Sequence, residues 1–140
     1  MKTIIALKGI GKSGKSTSIK KAFTIIKNKR ADINIEYENI KVDIKAIIVV
    51  GCIKIGFESQ GDPGGRLAES LKEFKEKGCH IILCATRSYG STVNYVNNME
   101  NEYVVQWVVK HKSKDSEIDI DNENIANMLV NKIETLLAAV

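Results

Sequence analysis

Lys15 and Ser16 close an octapeptide, Gly9-Ile10-Gly11-Lys12-Ser13-Gly14-Lys15-Ser16, whose residue types suit the gripping of a phosphate chain. Gly9, Gly11 and Gly14 let the backbone curl, so that consecutive N–H groups turn inward toward one anion. Lys12 and Lys15 bring positive charge to the same few residues. The hydroxyl of Ser16 is a hard oxygen donor of the kind Mg²⁺ prefers. A helix that starts here points its positive end at the same anion.

The stretch fits G-x-x-x-x-G-K-[ST] at every fixed position. It resembles the Walker A motif of the P-loop NTPases. The flanks agree: the apolar run TIIALK (residues 3–8) precedes it, and residues 15–29 place Ile19, Ala22, Phe23 and Ile26 at helical spacing. The resemblance implies that Lys15 reaches the β- and γ-phosphates and Ser16 holds Mg²⁺. It also implies that Thr17 lies near the α-phosphate, and that Gly11, Lys12, Ser13 and Gly14 cradle the chain. Ile10 stands where the deviant Walker A group carries an extra lysine, so that group is not implied.

A phosphate loop of this kind needs a carboxylate near the metal, and IKIGFESQGD (residues 53–62) offers Glu58 and Asp62. Glu58-Ser59-Gln60-Gly61 resembles the D-x-x-G motif of GTPase-like proteins, with Glu for Asp, and the hairpin before it is similar to that group, whose second and third strands pair this way. That resemblance implies that the Gly61 N–H reaches the γ-phosphate. Glu58 would bind Mg²⁺ through water or orient the attacking water, and Asp62 or Gln60 would polarise that water. Arg66 suits charge on a transferring phosphoryl group, and Thr86 and Arg87, at the tip of another apolar run, suit a γ-phosphate sensor. HKSKD (residues 111–115) lies where a guanine-reading N-K-x-D would fall and lacks its Asn, so ATP is expected rather than GTP.

The elements that must carry these residues read as alternating strands and helices. Strands are expected over residues 3–8, within 33–58, and over 79–86 and 102–110, the last with Trp107 in the core. DIKAIIVV (43–50) and CIKIGFES (52–59) form a hairpin across Gly51. Helices are expected over 15–29, 65–77 (stopped by Gly78), 91–101 and 122–138, the last capped by Asp121. The order β-α-β-β-α-β-α-β-α predicts an α/β fold with a mainly parallel sheet and one antiparallel hairpin. The resemblance makes it the three-layer P-loop NTPase fold. Ligands bind such sheets at the carboxyl ends of the strands, so the loops at 9–16, 58–66, 86–91 and 110–115 should converge.

The 140 residues, 44% hydrophobic and 27% charged, suit one domain spanning 1–140 rather than a disordered or membrane chain. The apolar run in MKTIIAL is too short for a leader, and no stretch is long enough for a membrane span. Cys52, Cys79 and Cys84 lack metal spacing and read as buried thiols in a reducing, cytoplasmic setting. Through Arg30 every charged side chain is positive, which suits an anion site rather than nucleic acid, because no nucleic-acid motif accompanies it.

The expected function is Mg²⁺-dependent binding and hydrolysis of a nucleoside triphosphate, as a nucleotide switch. A small-molecule or nucleotide kinase and a non-catalytic nucleotide-binding module of a larger assembly are the alternatives. A homo-oligomer or a partner protein would complete the assembly, and an arginine donated by a neighbouring subunit belongs to the same expectation.

Overall fold

The structure, a computed structural model, describes residues 2–140. The chain runs β1 (Thr3–Lys8), α1 (Lys15–Lys29), β2 (Ile33–Ile40), β3 (Ile44–Val50), β4 (Ile53–Glu58), α2 (Leu67–Glu76), β5 (Ile81–Thr86), α3 (Ser91–Asn97), β6 (Val104–Val109) and α4 (Ile118–Ala138). The six strands form one mixed sheet in the order β2-β3-β4-β5-β1-β6. The pairs β4–β5, β5–β1 and β1–β6 are parallel, whereas β2–β3 and β3–β4 are antiparallel. The fold is therefore α/β, with the antiparallel part larger than the single hairpin expected. Alternating Ile33 and Ile35 make a full strand, and the turn at residues 41–43 (Lys41 N–H to Asp43 O, 3.0 Å) folds it back along β3.

Helices cover both faces because both faces of the central strands are apolar. On one face Ile5 and Leu7 of β1 meet Ile19, Phe23 and Ile26 of α1 and Leu129 and Ile133 of α4. On the other, Ile4 and Ala6 meet Leu71 and Phe74 of α2 and Val96 of α3. Phe23 packs edge-on against Phe57 with ring centroids 5.2 Å apart. The whole of β1 and β5 is buried apart from Lys8, the pattern of strands covered on both sides.

Several local expectations change, among them the helix expected over 91–101, which ends at Asn97. Helix α4 begins at Ile118, after a short 3₁₀ turn at Asp115–Glu117, so Asp121 lies inside its first turn rather than capping it. Asp119 and Asp121 there favour the positive end of the helix. Trp107 is 36% exposed rather than core, because β6 is an edge strand and α3, at seven residues, is too short to cover it. Cys79 and Cys84 are buried as expected, but Cys52 is exposed at the β3–β4 turn. Among the described residues no helix is long and apolar enough to cross a membrane.

Candidate functional site

Strands β1, β4, β5 and β6 end at one edge of the sheet, and their following loops meet there. The Gly9 N–H donates to Thr86 O at 3.2 Å, and Lys110, after β6, donates its N–H to Lys8 O at 2.8 Å. Because β3 runs antiparallel to β4, its beginning lies at the same edge, opposite the end of β4. The resulting cleft holds about 390 Å³ and is lined by residues 11–17, Lys20, Val42, Asp43 and residues 59–62.

The glycine loop is shaped by contacts that leave no room for side chains. Gly14 has φ +90°, and a Cβ there would collide with the Asn122 carboxamide of α4. A Cβ on Gly9 would collide with Lys110 O. Lys12 also takes a left-handed conformation, φ +57°, which costs a non-glycine residue about 1–2 kcal/mol. Helix α1 then starts at Lys15, and its first intrahelical donor is the Ser18 N–H, bonded to Gly14 O at 3.0 Å. The N–H groups of the preceding turn remain free for a ligand.

Lys15 is almost wholly buried, and its ammonium donates to Gly9 O and, at 3.1 Å, to Ile10 O. Burial lowers its pKa from the ordinary 10.5 to about 8; the Arg87 guanidinium pushes it the same way and the Asp62 carboxylate opposes them. Arg87 donates from Nη2 and Nε to Asp62 Oδ1 at 2.9 and 3.2 Å. Its guanidinium lies directly over Gly11. Asp62 and Arg87 thus form an ion pair across the mouth of the loop.

Ser16 meets a carboxylate that the motifs do not mark. Ser16 Oγ donates to Asp43 Oδ1 at 2.7 Å and lies 3.0 Å from Ser59 Oγ. Ser59 Oγ donates to the same Oδ1 at 3.0 Å and accepts the Ile44 N–H at 2.8 Å. Lys20 donates to Val42 O at 2.7 Å and holds this turn against α1. Three hard oxygens thus converge beside the glycine loop, the donor chemistry Mg²⁺ takes when waters and phosphate complete its shell.

Glu58 sits elsewhere. It is fully buried and absent from the cleft wall. Its oxygens accept Arg66 Nε at 2.8 Å, Arg66 Nη2 at 3.1 Å, Ser70 Oγ at 2.5 Å and the Gln60 N–H at 3.1 Å. The carboxylate raises the Arg66 pKa in return. Glu58 and Arg66, expected at the metal and at the transferring group, bind each other and pin the 58–66 loop to α2. The Gln60 side chain completes the clamp by accepting the Arg66 N–H at 2.8 Å. The strand bearing Glu58 is also one place removed from β1, because β5 lies between them.

Of the residues singled out in the sequence, Gly11, Lys12, Ser13, Gly14, Lys15, Ser16, Thr17, Gln60, Gly61 and Asp62 line one cleft, and Glu58, Arg66, Thr86 and Arg87 are not part of its lining. Asp43, outside any motif, and Ser59, at a free position of the Glu58–Gly61 stretch, join that cleft. An aspartate in the turn just before an antiparallel strand was the available signal for Asp43, since that turn returns to the carboxyl edge of the parallel strands. Comparison with protein-family models, curated proteins and solved structures gives no match.

Proposed function

We propose that this chain is a P-loop NTPase-like protein that binds a nucleoside triphosphate with Mg²⁺, ATP in preference to GTP, and hydrolyses it. One observation carries the reading: free N–H groups at the start of α1, the buried Lys15 ammonium and the Ser16–Asp43 pair face a single cleft. These are the parts a triphosphate requires, namely backbone donors, one fixed cation and oxygens for a divalent metal.

Ser16 and Asp43 would hold Mg²⁺, with Ser59 supporting the carboxylate. The bound ion would neutralise phosphate charge and polarise the terminal phosphoryl group. Lys15 would exchange its two carbonyl partners for phosphate oxygens. Gln60 and Asp62 both lie on the cleft wall and would orient water, Gln60 through its amide N–H₂ because its Oε1 accepts the Arg66 N–H, and Asp62 through Oδ2 because its Oδ1 accepts Arg87. A second groove of about 400 Å³, lined by Thr17, Lys20, Lys21, Thr24, Ile25 and Glu123, shares Thr17 and Lys20 with the cleft and leaves room for the nucleoside.

A second reading, a binding module without turnover, is favoured by the engagement of Glu58 with Arg66 and Ser70. One experiment separates the two. ATP and GTP labelled on the γ-phosphate are incubated with the protein and Mg²⁺, with Lys15→Ala as control. Free labelled phosphate from the parent alone supports hydrolysis, and the faster nucleotide names the base. Intact nucleotide retained by the parent alone supports the module. Retention equal in parent and Lys15→Ala would end the phosphate-loop reading.

A further inference from the structure

The two edges of the sheet are built differently. Edge strand β2 carries Glu36 and Glu38, which pair with Lys54 at 2.9 Å and Lys27 at 3.4 Å, and its pairing with β3 slips between Ile35 and Tyr37. Charges and bulges are the usual means by which an edge is kept from pairing with other chains. Edge strand β6, Val-Val-Gln-Trp-Val-Val, has no charge and no bulge.

The open side of β6 is defined by its pairing with β1. Val104 N–H donates to Lys2 O and Lys110 N–H to Lys8 O, so the even-numbered residues turn their backbone groups toward β1. Val105, Trp107 and Val109 therefore turn theirs outward. Both flanks leave space. On the α4 side a groove of about 580 Å³ runs between Gln106 and Asn127, Asn131 and Thr135, with Lys132 its one charge. On the other side Trp107 and Val109 are 36% and 53% exposed, with Lys8 Nζ 5.2 Å from the indole centroid.

We propose that β6 pairs antiparallel with β6 of a second copy, centred on Trp107, to make one continuous sheet across a twofold axis. The open pattern of backbone groups on β6 is self-complementary, which favours a second copy as the occupant. A twofold axis normal to the sheet keeps each helical layer on its own side, so directly opposed residues must share a face. Centring on Trp107 sets Trp107 against Trp107 and Val105 against Val109. Every one of these residues has outward backbone groups, so each opposed pair exchanges both hydrogen bonds. No charged residue of β6 is buried by the pairing. The strands run their carboxyl ends to opposite poles, so neither copy's Arg66 or Arg87 reaches the other's cleft.

The test is sedimentation velocity over micromolar to sub-millimolar protein, with far-ultraviolet dichroism and thermal melts to establish folding. The parent should dimerise. Trp107→Glu and Trp107→Lys each place like charges in direct opposition, and each should weaken the dimer roughly a hundredfold. Mixing the two should restore a heterodimer, because only this register sets position 107 against itself. Val109→Pro removes one outward N–H, leaves the β1 ladder intact, and should also give monomer; it decides the matter if a charge at 107 unfolds the chain. A monomeric parent, a dimer that survives Trp107→Glu or Val109→Pro, or a folded mixture that stays monomeric would overturn the pairing.

Discussion

Lys15 has a charge that burial in the fold holds at a disadvantage. Its pKa of about 8, set chiefly by burial, means that the ligand-free protein loses this proton well below the unfolded value of 10.5. The unfolded chain then holds more protons than the folded one between those two pH values, so this residue makes stability rise with pH across that window. Urea titrations at pH 8 and 10 should show that rise in the parent relative to Lys15→Met; parallel curves would count against it. Nucleotide affinity should go the other way and weaken as pH passes about 8, because the anion favours the charged form.

In the proposed reading Asp43 serves the metal, whereas Glu58 is bound by Arg66 and Ser70. Asp43→Asn should raise the Mg²⁺ needed for nucleotide retention by at least roughly tenfold, the effect typical of losing even supporting groups of a metal site. Glu58→Gln should instead lower folding stability, by roughly 1.5–3 kcal/mol for weakened hydrogen bonds to a charged group, toward the low end because Arg66 is one-third exposed. Hydrolysis left intact after correction for unfolded protein is the expected result, and hydrolysis abolished in well-folded Glu58→Gln would return the carboxylate to the cleft. The glycine loop was legible because its chemistry is local: glycines, Lys15 and Ser16 lie within eight residues. Asp43 was not, because its partner Ser16 is 27 residues away and only the reversal of β3 brings them together.

At the scale of elements, the loop is held by an interlock between α1 and α4. Asn122 is buried on α4, its carboxamide lies against Gly14, and Ser18 Oγ approaches its Oδ1 at 3.4 Å. Gly14→Ala combines a left-handed backbone penalty of about 1–2 kcal/mol with this collision. Its destabilisation in urea should shrink when Asn122→Gly is added, and additive losses would show that the two do not meet. The spans of α1 and most strands could be read from periodicity, since an apolar stripe or an unbroken apolar run reports burial directly. The end of β2 and the start of α4 could not, because polar residues there are decided by a turn and a helix dipole.

Across the whole molecule, burial falls from the centre of the sheet toward β2. Strands β1 and β5 are covered on both faces, whereas β2 is mostly exposed. Hydrogen exchange should therefore be slowest in β1 and β5 and should pass through local opening in β2; uniform protection would mean that the antiparallel half opens only with the whole. The layer order was legible from the alternation of strands and helices, but the edge position of β6 was not, because VVQWVV reads like any buried strand. The β3–β4 turn lies at the pole opposite the cleft, a strand length of about 20 Å away. Its Gly51 has open space around it, and Cys52 beside it is the exposed cysteine. A molecule coupled to a solid support through that sulfur would stand with its cleft toward the bulk solution, so surface-based binding assays need no engineered handle.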